Sequence, residues 1–252
     1  MNLRLSSLST GYGRHVVASN LTATLEAGQL TSLLGSNGAG KSTLLRTMTA
    51  LLTPLSGEVL IGERPLTDFT AQQLAQTISV VLTERPTLQG MRVRDVVAMG
   101  RAPYTGFFGG LDKKDDAIVD EAIAQVGIGT LANRMAHTLS DGERQKVMIA
   151  KALAQDTPVI MLDEPTAFLD FGAKVEAMLL LRRLAHEMQK TILLSTHDVE
   201  LALQCSDCLW LMSREGITVG TPGQLANDGT LSSFFNSDGI EFDSKTMRFN
   251  II

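Results

Sequence analysis

Cysteine is scarce in this sequence. Cys205 and Cys208 are the only two among 252 residues, and they form a single C-x-x-C pair. A zinc site would need two further ligands and a redox pair a thioredoxin-like setting, so both are expected to be ordinary thiols. An excess of basic residues is lacking too: 22 Lys and Arg stand against 27 Asp and Glu, a net charge of −5. Without a basic stripe to neutralise phosphates, no nucleic-acid partner is expected. No apolar run approaches the roughly 18 residues that would span a bilayer. The opening MNLRLSSLS lacks the apolar stretch of a signal peptide, so the chain is expected to stay in the cytoplasm. What the sequence does have is core-forming material. With 44% hydrophobic and 19% charged residues, it excludes a disordered chain and can build one large α/β domain or two modest ones.

Leu3, Leu5 and Leu8, then Leu21, Ala23 and Leu25, alternate as half-buried strands do, around a Gly11-Tyr12-Gly13 loop. Leu30 to Leu34 reads as a short apolar strand running into GSNGAGKS, after which STLLRTMTALL has helical spacing and stops near Pro54. Glu58 to Ile61 and Ile78 to Leu82 read as strands. Val93 to Gly100, Lys113 to Val126 and Ser140 to Ala154 read as successive helices. Alternation then returns: a strand at VIML, a helix over Ala173 to Gln189, a strand at TILLS, a helix over Val199 to Gln204, a strand over Cys208 to Met212 and another near Thr218. That order predicts a parallel α/β core with a helical insertion. From Asp228 onward no period is visible, and the chain shows no internal repeat.

Gly35-Ser36-Asn37-Gly38-Ala39-Gly40-Lys41-Ser42 matches G-x-x-x-x-G-K-[ST] between a predicted strand and a predicted helix. Glycines let backbone N–H groups wrap phosphates, Lys41 neutralises their charge and the Ser42 hydroxyl can reach Mg²⁺, with Thr43 following in the helix. ATP or GTP binding follows from these residues alone. Val159 to Leu162 is an apolar strand that releases Asp163 and Glu164 at its tip, where carboxylates point into the ligand crevice of a parallel sheet. Asp163 is the expected Mg²⁺ partner, through water, and Glu164 is placed to polarise an attacking water. His197 follows the apolar strand Ile192 to Leu194 at the same sheet edge, and Tyr12 offers a flat face for a base.

A second helix start raises a question. Ser140 and Glu143 in LSDGERQ form a capping-box pattern, yet Gly142 inside that first turn costs about 1 kcal/mol of helix propensity relative to alanine. An anion approaching the backbone would explain the glycine. One chain then carries two anion-type helix starts.

Together these residues resemble the nucleotide-binding subunits of ABC transporters. LSDGERQ resembles the family signature, with Asp141 where glycine is commoner. Asp163-Glu164-Pro165-Thr166, Leu169-Asp170 and Ser195-Thr196-His197-Asp198 resemble its Walker B, D-loop and switch-histidine segments. The resemblance covers most of residues 1–225. It implies a P-loop NTPase, RecA-like core with an N-terminal antiparallel β subdomain and an inserted helical subdomain over about 84–156, followed by a C-terminal extension at 226–252. It also implies that two copies sandwich two ATP head to tail. Leu139, Ser140, Asp141, Gly142 and Glu143 of one copy would then serve the nucleotide on the other's phosphate loop, while Asp170 lies at the dimer interface, His197 meets the γ-phosphate and Tyr12 stacks on the base.

One departure from the family matters most. Where a glutamine usually joins sheet and helical insertion, this sequence reads Val81-Leu82-Thr83-Glu84-Arg85-Pro86, and Gln89 lies too far along. Glu84, which could also meet Mg²⁺ or the lytic water, is the candidate replacement; the alternative is that Glu84 is an exposed loop acid and the coupling role is lost or moved to Thr83. Val93 to Arg101, then Ala102-Pro103-Tyr104 and an aromatic-glycine loop through Gly110, resembles importers of iron-siderophore complexes, haem and cobalamin. This subgroup implies two transmembrane permease subunits above the ATPase pair, at the inner face of the membrane, and a binding protein acting through the permease. A rival from another class is a soluble ABC-type ATPase acting on DNA or ribosomes. The absence of a heptad run or a second cassette disfavours it.

Overall fold

The computed structural model describes residues 1–83, 88–105, 110–235, 240–244 and 246–251. The chain opens with β1 (Leu3–Tyr12) and β2 (His15–Leu25), an antiparallel pair. Leu3 and Leu5 are buried two residues apart, but the next core residue, Leu8, comes after three. A bulge there, with Ser7 at φ 45°, accounts for the shift. After β3 (Leu30–Leu34) and α1 (Lys41–Met48), β4 (Ser56–Ile61) and β5 (Arg64–Pro65) complete a four-stranded sheet of order β2-β1-β4-β5.

α2 (Ala71–Ala75) leads into β6 (Ile78–Val81). Next come α3 (Val93–Ala98), α4 (Lys113–Val126) and α5 (Asp141–Ala154), three helices packed on one another. The returning core comprises β7 (Val159–Asp163), α6 (Phe171–Glu187), β8 (Thr191–Ser195), α7 (Val199–Cys205), β9 (Cys208–Met212) and β10 (Ile217–Gly220). The main sheet is six-stranded, in the order β10-β9-β3-β8-β7-β6, parallel except for the edge strand β10.

Every residue of β3, β7 and β8 is buried, as expected for apolar strands covered on both faces. One face carries Leu33, Met161, Leu193 and Trp210 against α1 and the antiparallel sheet. The other carries Leu30, Ile160, Leu162 and Ile192 against α6 and the three-helix insertion. Within the insertion, Arg101 donates to Asp115 at 2.8 Å and to the Ala154 carbonyl at 2.9 Å, and its guanidinium lies 4.0 Å from the centre of the Tyr104 ring. This buried pin ties the ends of α3 and α5 to the start of α4.

Several sequence expectations shift. The Gly11-Tyr12-Gly13 loop narrows to a tight turn, because β1 runs through Tyr12 and β2 starts at His15. The helix expected to stop near Pro54 ends at Met48. The helix expected to run to Gly100 ends at Ala98 and continues as a 3₁₀ turn over Met99–Arg101. The helix expected from Ala173 begins at Phe171, because the Asp170 carboxylate accepts from the Ala173 N–H at 2.8 Å and caps the first turn. Beyond Asp228, where no period was visible, lie α9 (Thr230–Phe235), which follows α8 (Pro222–Asn227), and a hairpin of β11 (Ile240–Asp243) and β12 (Arg248–Ile251). Elements of four to six residues are too short for a period to build up. Phe242 and Leu231 anchor them on Leu209 and Leu211.

Candidate active site

The sheet register brings the chemistry to one edge. Leu33, Ser195 and Asp163 are backbone partners across β3, β8 and β7, and Val81 pairs with Leu162. The segments leaving these four strands emerge side by side at their carboxyl ends, where parallel sheets bind ligands.

The loop after β3 is shaped by its glycines. A Cβ on Gly35 would stand 2.6 Å from the Met212 carbonyl, and Gly40 has φ 100° with Val17 of β2 pressed where its side chain would be. Ser36, Asn37 and Gly38 are exposed, whereas Ala39 is buried. Gly40 starts α1 without a side-chain cap, which leaves the first-turn N–H groups of Lys41, Ser42 and Thr43 open to an anion. Lys41 is only 6% exposed, and its ammonium donates to the Gly35 carbonyl at 2.8 Å and the Ser36 carbonyl at 3.4 Å. Burial pushes its pKa below the ordinary value, against the opposing pull of Glu164 and Asp163. A desolvated cation in a cradle of open N–H groups suits a polyphosphate.

Asp163 ends β7 buried, and its Oδ1 accepts from two hydroxyls, Ser42 Oγ at 3.0 Å and Ser195 Oγ at 2.7 Å. Ser195 Oγ in turn accepts from the Glu164 N–H at 2.9 Å. That bond holds Glu164 at φ 50°, a left-handed conformation that costs a non-glycine residue about 1–2 kcal/mol. The twist turns the Glu164 carboxylate out of the strand line, and its Oε1 lies 2.7 Å from His197 Nε2. Glu164 and His197, expected separately at the same edge, therefore meet. Thr83, two residues beyond β6, donates through Oγ1 to the Asp163 carbonyl at 2.8 Å. Glu84, the other candidate for the coupling position, lies outside the described residues.

The second helix start forms as its sequence suggested. Ser140 Oγ accepts from the Glu143 N–H at 3.3 Å, and the Glu143 carboxylate accepts from the Ser140 N–H at 2.9 Å. That backbone bond is the main reason the Glu143 carboxyl sits below its usual range. Leu139 is buried and Asp141 exposed. A Cβ on Gly142 would lie 3.3 Å from that of Ala173, so close approach of α6 is a second reason for glycine here. Ser140, Gly142 and Glu143 line a hollow with Leu169 and Ala173. The hollow beside the phosphate loop is lined by Gly35, Ser36, Asn37, Thr196 and His197, and among the described residues the two share no lining residue.

Tyr12 ends β1 about half exposed, on the hairpin whose Val17 touches the phosphate loop. Cys205 and Cys208 are free thiols, raised in pKa chiefly by burial. Among the described residues no group of three His, Cys, Asp or Glu could hold a metal by itself, and no helix is long and apolar enough to cross a membrane. Sequence reasoning assigned no role to Ser195, Thr166, Lys174 or Asp198. A hydroxyl directly after the apolar run Ile192 to Leu194 is the available signal for Ser195.

The ABC transporter family profile matches residues 18–167. An uncharacterized ABC transporter ATP-binding protein of Methanocaldococcus jannaschii is 43% identical over 215 residues, spanning 85% of this chain and 74% of the relative. The ferric enterobactin transport ATP-binding protein FepC of Escherichia coli is 36% identical over 225 residues, spanning 88% and 83%. Among solved structures, the dimeric structure of a bacterial ABC transporter cassette superposes with a TM-score of 0.74 at 24% identity, over 87% of this chain and 98% of that one. With its phosphate loop, paired acids and signature helix in a mixed α/β frame, the chain belongs to the ABC transporter family, as an ATP-binding and ATP-hydrolysing subunit.

Proposed function

We propose that this subunit pairs head to tail with a second copy of itself around two ATP and, beneath a permease at the inner face of the membrane, powers import of a ferric siderophore or a related metal chelate. The observation that carries the pairing is the separation of the two anion-type helix starts. Among the described residues, the hollow that Ser140 and Gly142 line has no lining residue in common with the hollow beside the phosphate loop of their own chain. The exposed Ser140 start is therefore free to serve a nucleotide on another copy. The cargo class rests on the likeness to FepC.

Within each site, the open N–H groups of the loop and the buried Lys41 ammonium hold the phosphates, and Tyr12 stacks on the base. The Ser42 hydroxyl and the Asp163 carboxylate, 3.0 Å apart, are hard oxygen donors that fit Mg²⁺, Asp163 acting through water. Bound there, Mg²⁺ would neutralise phosphate charge. Glu164 orients a water toward the γ-phosphorus and accepts its proton as the bond to the ADP oxygen breaks. His197, paired with Glu164, is the neighbour that meets the γ-phosphate. Asp170 contributes at the interface between copies. Thr83, fixed to the backbone of Asp163, or Glu84 replaces the coupling glutamine.

The test is ATPase activity of the chain co-purified with its permease in lipid, with binding protein preloaded with ferric siderophore, haem or cobalamin, and Glu164→Gln as inactive control. Stimulation by a loaded binding protein is expected. If no permease co-purifies and none of the three changes the rate, the importer reading fails and a soluble ABC-type ATPase replaces it.

A further inference from the structure

Asp198 occupies the N-cap position of α7, yet its side chain makes no capping hydrogen bond. Forgoing a cap forfeits about 1 kcal/mol, so the carboxylate is held by something else. Oδ2 accepts from Thr166 Oγ1 at 3.0 Å, and Oδ1 accepts from the Lys174 ammonium at 3.0 Å. Thr166 is buried two residues after Glu164, and Lys174 lies in the first turn of α6. The Lys174 N–H donates to the Asp170 carbonyl at 2.9 Å. The Asp198 backbone N–H is itself tied to Thr196 Oγ1 at 3.0 Å. One carboxylate thus fastens the residue after His197 to both ends of the segment running from Glu164 through Asp170 into α6.

We infer that the Asp198–Lys174 pair is a positioning clip that sets His197 against Glu164 and makes this geometry follow the placement of Asp170. The clip touches neither ATP nor the reacting atoms. It acts through His197, and the inference rests on the reading of His197 and Glu164 above. His197 is exposed at a strand end, and among the described residues its ring is held by one hydrogen bond, to Glu164. Its backbone must therefore be anchored from elsewhere, and Asp198 is the adjacent anchor. Lys174 and Asp198 are each partly shielded from solvent, at 24% and 30% side-chain exposure, which protects the ion pair from full screening. Lys174 also supplies charge that a neutral residue cannot replace, whereas arginine can.

The experiment measures steady-state ATPase kinetics and melting temperature for Lys174→Met, Lys174→Arg, Asp198→Asn, the Lys174→Met/Asp198→Asn double variant and His197→Ala. Lys174→Met and Asp198→Asn are expected to lower kcat by about tenfold, within the roughly hundredfold that a 1 Å misplacement can cost, and to leave KM for ATP unchanged. The double variant should be no slower than either single one, and Lys174→Arg should restore the rate. A merely structural pair would lower melting temperature without this kcat-against-KM split or the rescue, and that result overturns the clip. If Lys174→Met keeps the wild-type rate while His197→Ala is inactive, the clip fails alone. If His197→Ala retains full activity, the reading beneath it fails.

Discussion

Ser195 Oγ donates to Asp163 Oδ1 at 2.7 Å and accepts from the Glu164 N–H at 2.9 Å, so one hydroxyl serves both acids at the end of β7. Ser195→Ala leaves a buried carboxylate with one donor fewer and a backbone N–H with none from this hydroxyl. A loss of about 1–3 kcal/mol in stability is expected, read as a lower denaturant midpoint at unchanged slope. With the φ 50° conformation of Glu164 no longer pinned, kcat should fall by about tenfold or more. A variant of wild-type stability would show that water replaces the hydroxyl.

Lys41 is predicted to destabilise the nucleotide-free protein. Its pKa is lowered on folding, chiefly by burial, so between the depressed value and the ordinary 10.5 the unfolded chain binds more protons than the folded one. The penalty is therefore complete below the depressed value and fades as pH climbs toward the ordinary one. Lys41→Met should raise the melting temperature without nucleotide at neutral pH, by about 2–4 °C for each kcal/mol relieved. The advantage should shrink at alkaline pH, and added ATP should no longer stabilise the variant. A lower melting temperature at neutral pH would mean that the bonds to Gly35 and Ser36 outweigh burial.

Asp170 has a capping role that substitution can separate from the proposed one at the interface between copies. As the cap of α6 it accepts from the Ala173 N–H, and Asp170→Ala should cost about 1 kcal/mol. Asp170→Ser keeps a capping oxygen and should retain nearly full stability. If Asp170 also works at the interface between copies, both variants should lose ATPase activity while only the alanine form loses stability. Full activity in the serine variant would confine Asp170 to capping.

The phosphate loop, the paired acids and the signature cap were legible because each is local. Gly35 to Ser42, Asp163-Glu164 and Ser140 to Glu143 each carry their pattern within eight residues or fewer, flanked by strands or helices whose period is unambiguous. The partners of Asp163 and Asp198 were not legible. Ser195 meets Asp163 across 32 residues and Lys174 meets Asp198 across 24, and these distances close only through the parallel register of β7 with β8 and the packing of α6. A serine or a lysine in isolation has no pattern that announces such a contact. The C-terminal hairpin escaped for a different reason: its strands of four residues hold too few alternations to stand out, and Phe242 and Phe249 identify themselves as partners only once the turn brings them together.

The question raised by Gly142 resolves into two competing costs. Alanine at this position would gain about 1 kcal/mol of helix propensity. Its Cβ would also lie 3.3 Å from that of Ala173, a contact tight enough that α6 must give by a few tenths of an ångström. The two effects oppose each other, so Gly142→Ala should leave stability without nucleotide close to wild type. A helix start used only for folding would then lose nothing in function. If Ser140 and Gly142 receive the γ-phosphate of the other copy, an added methyl group at the point of approach should abolish ATP-driven dimerisation and hydrolysis while ATP still binds the phosphate loop of each monomer. Size-exclusion chromatography with ATP, beside nucleotide titration of the same variant, separates the cases. An ATP-induced dimer with normal turnover would reduce Gly142 to a packing residue beneath α6 and remove the argument for a shared site.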